Sequence, residues 1–212
     1  CIWFKVKIDD SEYVPVLEKT GFNFHHARDD FVMMYKWLPD DSKPNLPPSA
    51  HTNVGVCAMV INEANQLLAI SEKHYNYLHL KLPGGYVERE DLIHAAVREV
   101  KEETGIDTCF NSLVTVRHGH NSMFENSELN AFFILDALSE QICVSEEIAS
   151  CKWMDIEDFK NHPLVNDFTK MIVKKGLEMK SRNIKFDVKE KKFEFYQLQL
   201  TVGRLQRKRN VC

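Results

Sequence analysis

Apolar positions along the 212 residues change period several times, and each change marks an element. CIWFKVKI (residues 1–8), rich in β-branched and aromatic residues, predicts a strand. DSEYVPVLEKTG (10–21) predicts a helix ending at Gly21, and FVMMYKWL (31–38) predicts a second strand. Residues 38–51 hold Pro39, Pro44, Pro47 and Pro48, a density that predicts an extended connector. Beyond it, NVGVCAMVIN (53–62) reads as a buried strand, residues 63–65 as a turn and QLLAISEK (66–73) as the returning strand. A glycine turn at Gly84–Gly85 precedes a helix reaching about Thr104. NSLVTVRHGH (111–120) and LNAFFILDAL (129–138) predict strands around a polar loop, residues 119–128. ASCKWMDI (149–156) predicts a short strand, LVNDFTKMIVKKGLEMK (164–180) an amphipathic helix, and Phe186–Val188 and KFEFYQLQL (192–200) late strands. Strands and helices mixed in this order predict an α/β sandwich rather than a helical bundle. The expected division is a small α+β module with its linker at 1–45, a main domain at 46–180 and an extension at 181–212.

The helix after the glycine pair carries the chemistry. At about 100° per residue, Glu99, Glu102 and Glu103 share one face. Ile93, Ala96, Val97 and Val100 form a separate apolar stripe. Ala95 lies one turn before Glu99 and is expected to leave room above the carboxylates. Arg98 stands four residues before Glu102, the spacing of an ion pair, and Gly105 is placed to cap the helix. Clustered carboxylates repel one another until a cation joins them. A hard divalent ion, Mg²⁺ or Mn²⁺, takes oxygen ligands and links carboxylates to phosphate oxygens. The glycines allow close backbone approach and free a carbonyl for the same ion. The alternative is a solvated acidic helix face with an arginine partner.

Composition adds limits. With 44% hydrophobic and 27% charged residues the chain has ordinary globular content. No apolar run nears the roughly 18 residues of a membrane helix. The net charge of −4 gives no bulk attraction to nucleic acid, and only RLQRKR, Arg204 to Arg209, is locally basic. Six cysteines without a CxxC pair predict reduced, buried thiols rather than a disulfide framework or a zinc site. His118 and His120 near Cys109 do not make a metal site by themselves. The expected location is intracellular, the cytoplasm in the first instance. Mitochondrion and nucleus stay open, because the sequence begins at Cys1 rather than Met.

The stretch LPGGYVEREDLIHAAVREVKEETGI (82–106) closely resembles the Nudix box, GX5EX7REUXEEXGU, where U is aliphatic. Gly84, Glu90, Arg98, Glu99, Val100, Glu102, Glu103, Gly105 and Ile106 fill every fixed position. In many relatives the second glycine of the pair starts the count. Here only Gly84 does, so the loop to the helix is one residue shorter. GFNFHHARDDFVMMYKWLP and SAHTNVGVCAMVIN resemble the subfamily of the animal antisense-fibroblast-growth-factor Nudix protein and the plant ADP-ribose/NADH pyrophosphatases. EIASCKWMDIEDF resembles their late strand-and-helix segment.

The resemblance implies an α/β/α sandwich with a mixed sheet and hydrolysis of a nucleoside diphosphate linked to X, with ADP-ribose or NADH foremost. It implies Glu99, Glu102, Glu103 and the Gly84 carbonyl as metal ligands, Arg98 orienting the carboxylates, and as base either Glu99 or a residue of a distant loop. Outside the box, Glu128 in the 119–128 loop is a candidate for that role or for substrate binding, and Phe124 a candidate platform for a base ring. By the same analogy the N-terminal module is expected either to make homodimer contacts or to close over the substrate. The SQPWPFPxS signature of NADH-specific relatives is absent, and no proline lies between Pro83 and Pro163. A nucleotide-binding or regulatory module with weak turnover is therefore the main alternative, and an RNA-cap hydrolase a weaker one. His25 and His26, adjacent on a strand, are expected to face opposite ways, and Trp153 is expected to pack in the core.

Overall fold

A computed structural model describes residues 1–120 and 123–188, with Met123 described by its backbone alone. The predicted strand at 192–200 and the basic run at 204–209 lie outside the described residues.

The N-terminal part is a three-stranded antiparallel sheet, ordered β1-β3-β2, from β1 (Ile2–Lys7), β2 (Asn23–Arg28) and β3 (Phe31–Lys36). The predicted helix divides into a 3-10 turn (Ile8–Tyr13) and one short helix, α1 (Val14–Lys19). Pro15 explains the division: it suits the first turn of α1 but supplies no amide to bond backward. β2 is the strand that the expectation for His25 and His26 assumed, but its limits were not legible, because NFHHAR lacks a regular apolar alternation. A bulge between Phe24 and His26 breaks its register against β3. That bulge overturns the expectation for the two histidines. Their rings meet at a 5.0 Å centroid distance with the Nδ1 atoms 2.7 Å apart, and His25 Nε2 bonds the Pro47 carbonyl at 2.7 Å. The connector, residues 37–51, carries no helix or strand.

The main part is a five-stranded mixed sheet ordered β6-β7-β4-β5-β8. Its strands are β4 (Thr52–Ile61), β5 (Gln66–Glu72), β6 (Thr108–Gly119), β7 (Ser127–Ala137) and β8 (Ile148–Asp155). β4 and β7 run parallel over ten residue pairs, and the other pairings are antiparallel. A central parallel pair is covered on both faces, which is why VCAMVI has no polar break. Alternation along β4 and β7 sends Val56, Ala58, Val60 and Phe133 into one core and Met59, Ile61 and Ile134 into the other. Helix α2 (Leu92–Thr104) closes the first through Ala95, Ala96 and Val100. α3 (Ile156–Asn161) and α4 (Asp167–Ser181) close the second through Phe159, Ile172 and Val173. Each such fully buried large side chain contributes about 1.5–3 kcal/mol. The arrangement is the expected α/β/α sandwich.

Phe186–Val188 form no strand. The segment still rests on β6: Leu113 N donates to the Phe186 carbonyl at 3.0 Å, and Phe186 N donates to Ser112 Oγ at 3.0 Å. The described cysteines are all free, as expected, but Cys1, Cys109 and Cys143 are exposed rather than buried. Burial pushes the Cys57 thiol up to about 11 and that of Cys151 up to about 12, which keeps both inert. No described helix is long and apolar enough to cross a membrane.

Candidate active site

The site is built where β4 and β5 part. They pair directly at Ile61–Leu67, beside a turn in which Asn62 Oδ1 accepts from Gln66 N at 2.8 Å. Past that point residues 80–87 fill the gap. Lys81 exchanges backbone hydrogen bonds with Ile70 on one side. On the other, Ala58 N donates to the Pro83 carbonyl, Val56 N to the Gly85 carbonyl and Val87 N to the Val54 carbonyl, at 2.8–2.9 Å. Pro83 is tolerated because its carbonyl alone is needed.

This packing leaves no space for side chains at the glycine pair. A Cβ on Gly84 would stand 2.1 Å from the Val56 carbonyl oxygen, and the residue's φ is +151°. A Cβ on Gly85 would stand 2.5 Å from Glu99 Oε2, so the loop forms the floor under that carboxylate. Gly55 on β4 makes similar room for Asn130, whose Oδ1 would lie 2.2 Å from an added Cβ.

Helix α2 supplies the acids. Gly105 ends it in the left-handed region at φ 74°, as expected of its cap. Arg98 donates from Nε to Glu90 Oε1 at 2.8 Å and from NH1 to Glu102 Oε2 at 2.8 Å. The same NH1 lies 2.9 Å from Glu99 Oε1, and NH2 donates to the Tyr86 carbonyl at 3.2 Å. Glu90, the first acid of the box, therefore meets Arg98 despite the shorter loop. Glu103 Oε2 accepts from Gly84 N at 2.8 Å.

Two expectations about α2 need correction. Ala95 does not leave room over the carboxylates: it is fully buried in the core. Nor are the apolar and acidic faces separate, since Glu103, only 8% exposed, lies among the buried positions of the helix with Ala95, Ala96 and Val100. The gap between β4 and β5 admits it, and the Gly84 amide receives it. The consequence is electrostatic. Burial pushes the Glu103 carboxyl up to about 7, with Lys81 and the Gly84 amide opposing and Glu72 and Glu99 adding to the rise. Burial also raises Glu99, against the pull of Arg98.

These groups line a cleft of about 550 Å³. Glu128 lines it from the start of β7 rather than from a loop, accepting from Tyr86 Oη at 3.2 Å and from Asn130 Nδ2 at 3.4 Å. Phe124 does not. It is 87% exposed, at φ 56°, and lines a neighbouring cleft with Val54, Val87 and Leu92 that meets the first at Tyr86 and Glu88. Trp153 packs on the core with Nε1 donating to the Glu140 carbonyl.

The sequence reading missed Glu72, Tyr75, Lys81, Tyr86 and Glu147, all on the cleft wall. Lys81 had a signal, being a lone lysine between the buried Leu80 and Leu82. Glu147 had none. It reaches the cleft because Cys143 N and Ser145 N donate to the Thr104 and Glu103 carbonyls, pinning its loop to the end of α2. With Glu146 it faces Glu99, Glu102 and Glu103 across a smaller cavity of about 310 Å³.

Carboxylate and carbonyl oxygens suit a hard divalent cation, and the floor at Gly85 leaves Glu99 the space to bind one. Among the described residues no three His, Cys, Asp or Glu side chains already stand at metal-binding distance. Arg98 bridges Glu99 to Glu102, and Glu103 is turned to Gly84. Glu99 and Glu102 would hold such an ion only by giving up part of their pairing with Arg98. Gly85→Ala tests the floor. Its clash is with the tip of a flexible side chain, so stability should stay within about 0.5 kcal/mol of the parent. Mn²⁺ affinity by calorimetry should fall about 10- to 100-fold as Glu99 is displaced.

Comparison with known proteins bears on this site. A family profile described as NUDIX domain matches residues 51–174, and one described as Nudix hydrolase domain matches residues 1–38. Nudix hydrolase 8 of Arabidopsis thaliana is 39% identical over 169 residues, 77% of this chain and 46% of that protein. Nucleoside diphosphate-linked moiety X motif 6 of Xenopus laevis is 35% identical over 153 residues, 70% of each chain. The chain spans 46–62% of the length of Arabidopsis Nudix hydrolases 8, 2 and 5. A NUDIX hydrolase structure from Nitrosomonas europaea shares the fold at TM-score 0.56 and 17% identity, covering 77% of this chain and 89% of that one. The NUDIX domain of Shewanella oneidensis NrtR, crystallised with ADP ribose, aligns at TM-score 0.52 and 14% identity, over 65% and 93% of the two chains.

Proposed function

The chain belongs to the Nudix hydrolase family, and on that premise we propose that it hydrolyses the pyrophosphate bond of a nucleoside diphosphate linked to a second group, ADP-ribose or NADH first. The observation that carries this reading is the convergence of Glu99, Glu102 and Glu103 with Arg98 and the Gly84–Gly85 loop on one cleft. Glu99, Glu102, Glu103 and the Gly84 carbonyl would hold Mg²⁺ or Mn²⁺. When bound, such an ion neutralises the diphosphate, lowers the pKa of a coordinated water and stabilises the leaving oxygen.

The chain's own groups do the rest. Arg98 fixes the rotamers of Glu99 and Glu102 so that the carboxylates are preorganised. Glu99, with its raised pKa, is placed to take a proton from the attacking water. Tyr86 and Asn130 hold Glu128 at the mouth, where it orients the substrate. The experiment is turnover with Mg²⁺ or Mn²⁺ over ADP-ribose, NADH, nucleotide sugars, dinucleoside polyphosphates and capped RNA. One substrate turned over only with metal supports the reading. Nucleotide bound without hydrolysis would replace it with the weak-turnover binding module.

The proposed division remains 1–45, 46–180 and 181–212, with the first part making dimer contacts. Eight exposed large apolar side chains support that role, among them Ile2, Trp3, Phe4, Val16 and Phe24. Light scattering of the chain should give twice its 24.7 kDa mass, and a single-chain mass at micromolar concentration would refute the dimer.

A further inference from the structure

The cleft holds a second ion pair that the box does not use. Lys81 lies on the inserted segment between Leu80 and Leu82. Those two enter the core, and Lys81 lines the cleft. Its ammonium donates to Glu72 Oε1 at the end of β5. The Glu72 side chain is only 10% exposed, and its other oxygen, Oε2, is buried without a hydrogen-bond partner among the described residues. His74 Nε2 stands 3.4 Å from that oxygen, an ion pair only when the imidazole is protonated. Glu72 is held from behind: its backbone N–H donates to His79 Nε2 at 3.1 Å, which leaves His79 Nδ1 to donate to the Tyr77 carbonyl at 3.2 Å.

Arg98, the other Lys or Arg side chain lining this cleft, has every guanidinium nitrogen engaged, by Glu90, Glu99, Glu102 and the Tyr86 carbonyl. Lys81 carries three N–H donors and gives one to Glu72. Burial disfavours its charge, but the Glu72 hydrogen bond and the charges of Glu72 and Glu103 outweigh burial and raise its pKa. It is therefore an ammonium at neutral pH. A buried lysine–carboxylate pair is a weak source of stability, because desolvation offsets most of the attraction. In a cleft dominated by carboxylates, a cation with donors to spare is better placed to meet an anion.

We propose that Lys81 is the protein's own cationic contact to a phosphate oxygen of the substrate's diphosphate, and that Glu72 is a positioning residue holding the ammonium in the cleft. The inference rests on the diphosphate reading above.

The probe is inorganic pyrophosphate with Mg²⁺, measured by calorimetry on Glu72→Gln/Lys81→Met. This double change removes one charge of each sign, so net charge is kept and no lone buried charge remains. Pyrophosphate affinity should fall about 10- to 100-fold, the range of a charge-assisted hydrogen bond. Folding and Mn²⁺ affinity without pyrophosphate should match the parent. Glu72→Gln alone should raise KM several-fold with kcat unchanged, and Lys81→Arg should retain pyrophosphate binding. Parent-like affinity in the double variant, or no pyrophosphate binding by the parent, overturns the proposal. A parent that binds pyrophosphate through Lys81 yet hydrolyses nothing leaves this inference standing and removes the hydrolase reading. A parent that hydrolyses substrate with Lys81 dispensable does the reverse.

Discussion

Glu103→Gln should lower metal-dependent turnover on the order of 10³-fold, the scale of losing a preorganised charged contact to the transition state. It should do so while making the metal-free protein more stable at neutral and alkaline pH. The glutamine can still accept from Gly84 N, but it carries no charge to desolvate. In the parent, burial raises the Glu103 carboxyl from 4.5 to about 7. The folded state thus favours the protonated acid. That stabilisation is fully present below about pH 4.5 and is lost as pH rises through about 7. The metal-free parent should therefore lose up to about 3 kcal/mol between those limits relative to the variant. Urea unfolding in EDTA at pH 5 and pH 8 would show the two proteins differing by about 1 kcal/mol at the lower pH and by most of the full amount at the higher. Metal binding carries the opposite dependence, since the ion needs the carboxylate: Mn²⁺ affinity should rise toward pH 7 and then level. Parallel stability curves for parent and variant would mean that Glu103 is solvated rather than buried.

Gly84→Ala should destabilise the protein by at least about 3 kcal/mol, because a forced backbone contact and an unfavourable φ act together. For a chain of this size that lowers the melting temperature by about 6–12 °C. The added carbon would lie 2.1 Å from the Val56 carbonyl and 2.8 Å from Cys57 Cα, and neither is a flexible side-chain tip. Relief requires residues 80–87 to withdraw from β4, which breaks the Ala58–Pro83 and Val56–Gly85 hydrogen bonds and takes the Gly84 amide from Glu103. Turnover should vanish along with the lost stability, whereas Gly85→Ala separates the two. A parent-like melting curve for Gly84→Ala would show that this segment is not seated in the sheet.

The two glycines thus have different physical tasks, which the box pattern does not distinguish. Starting the count at Gly84 picks out the residue that backbone packing forbids to be anything larger. Gly85 instead meets the carboxylate of Glu99. The shorter loop after them still delivers Glu90 to Arg98, because the Arg98 side chain reaches both across the loop and along the helix.

Much of the main domain was legible along the chain. β4, β5, β6, β7, β8, α2 and α4 were foreseen with ends shifted by a few residues, since each carries a long apolar run, even where bulges interrupt the register as in β6. The limits of β2 were not, because NFHHAR holds too few apolar positions to mark where the strand begins and ends. Phe186–Val188 looked like a strand, yet bonds β6 through one carbonyl and a serine hydroxyl instead of a ladder. The acids of α2 were identified by spacing on one helix, as was the Arg98–Glu102 pair, because such neighbours are set by local geometry. What the sequence determined by itself is therefore the local part: element types, the capped helix and the row of acids with its arginine. Tertiary structure alone decided that Glu103 is buried, that Gly84 receives it, and that Glu72, Lys81 and Glu147 join the same cleft. Those contacts link residues distant along the chain through the opening between β4 and β5, and no periodicity within a single element encodes where another element will insert.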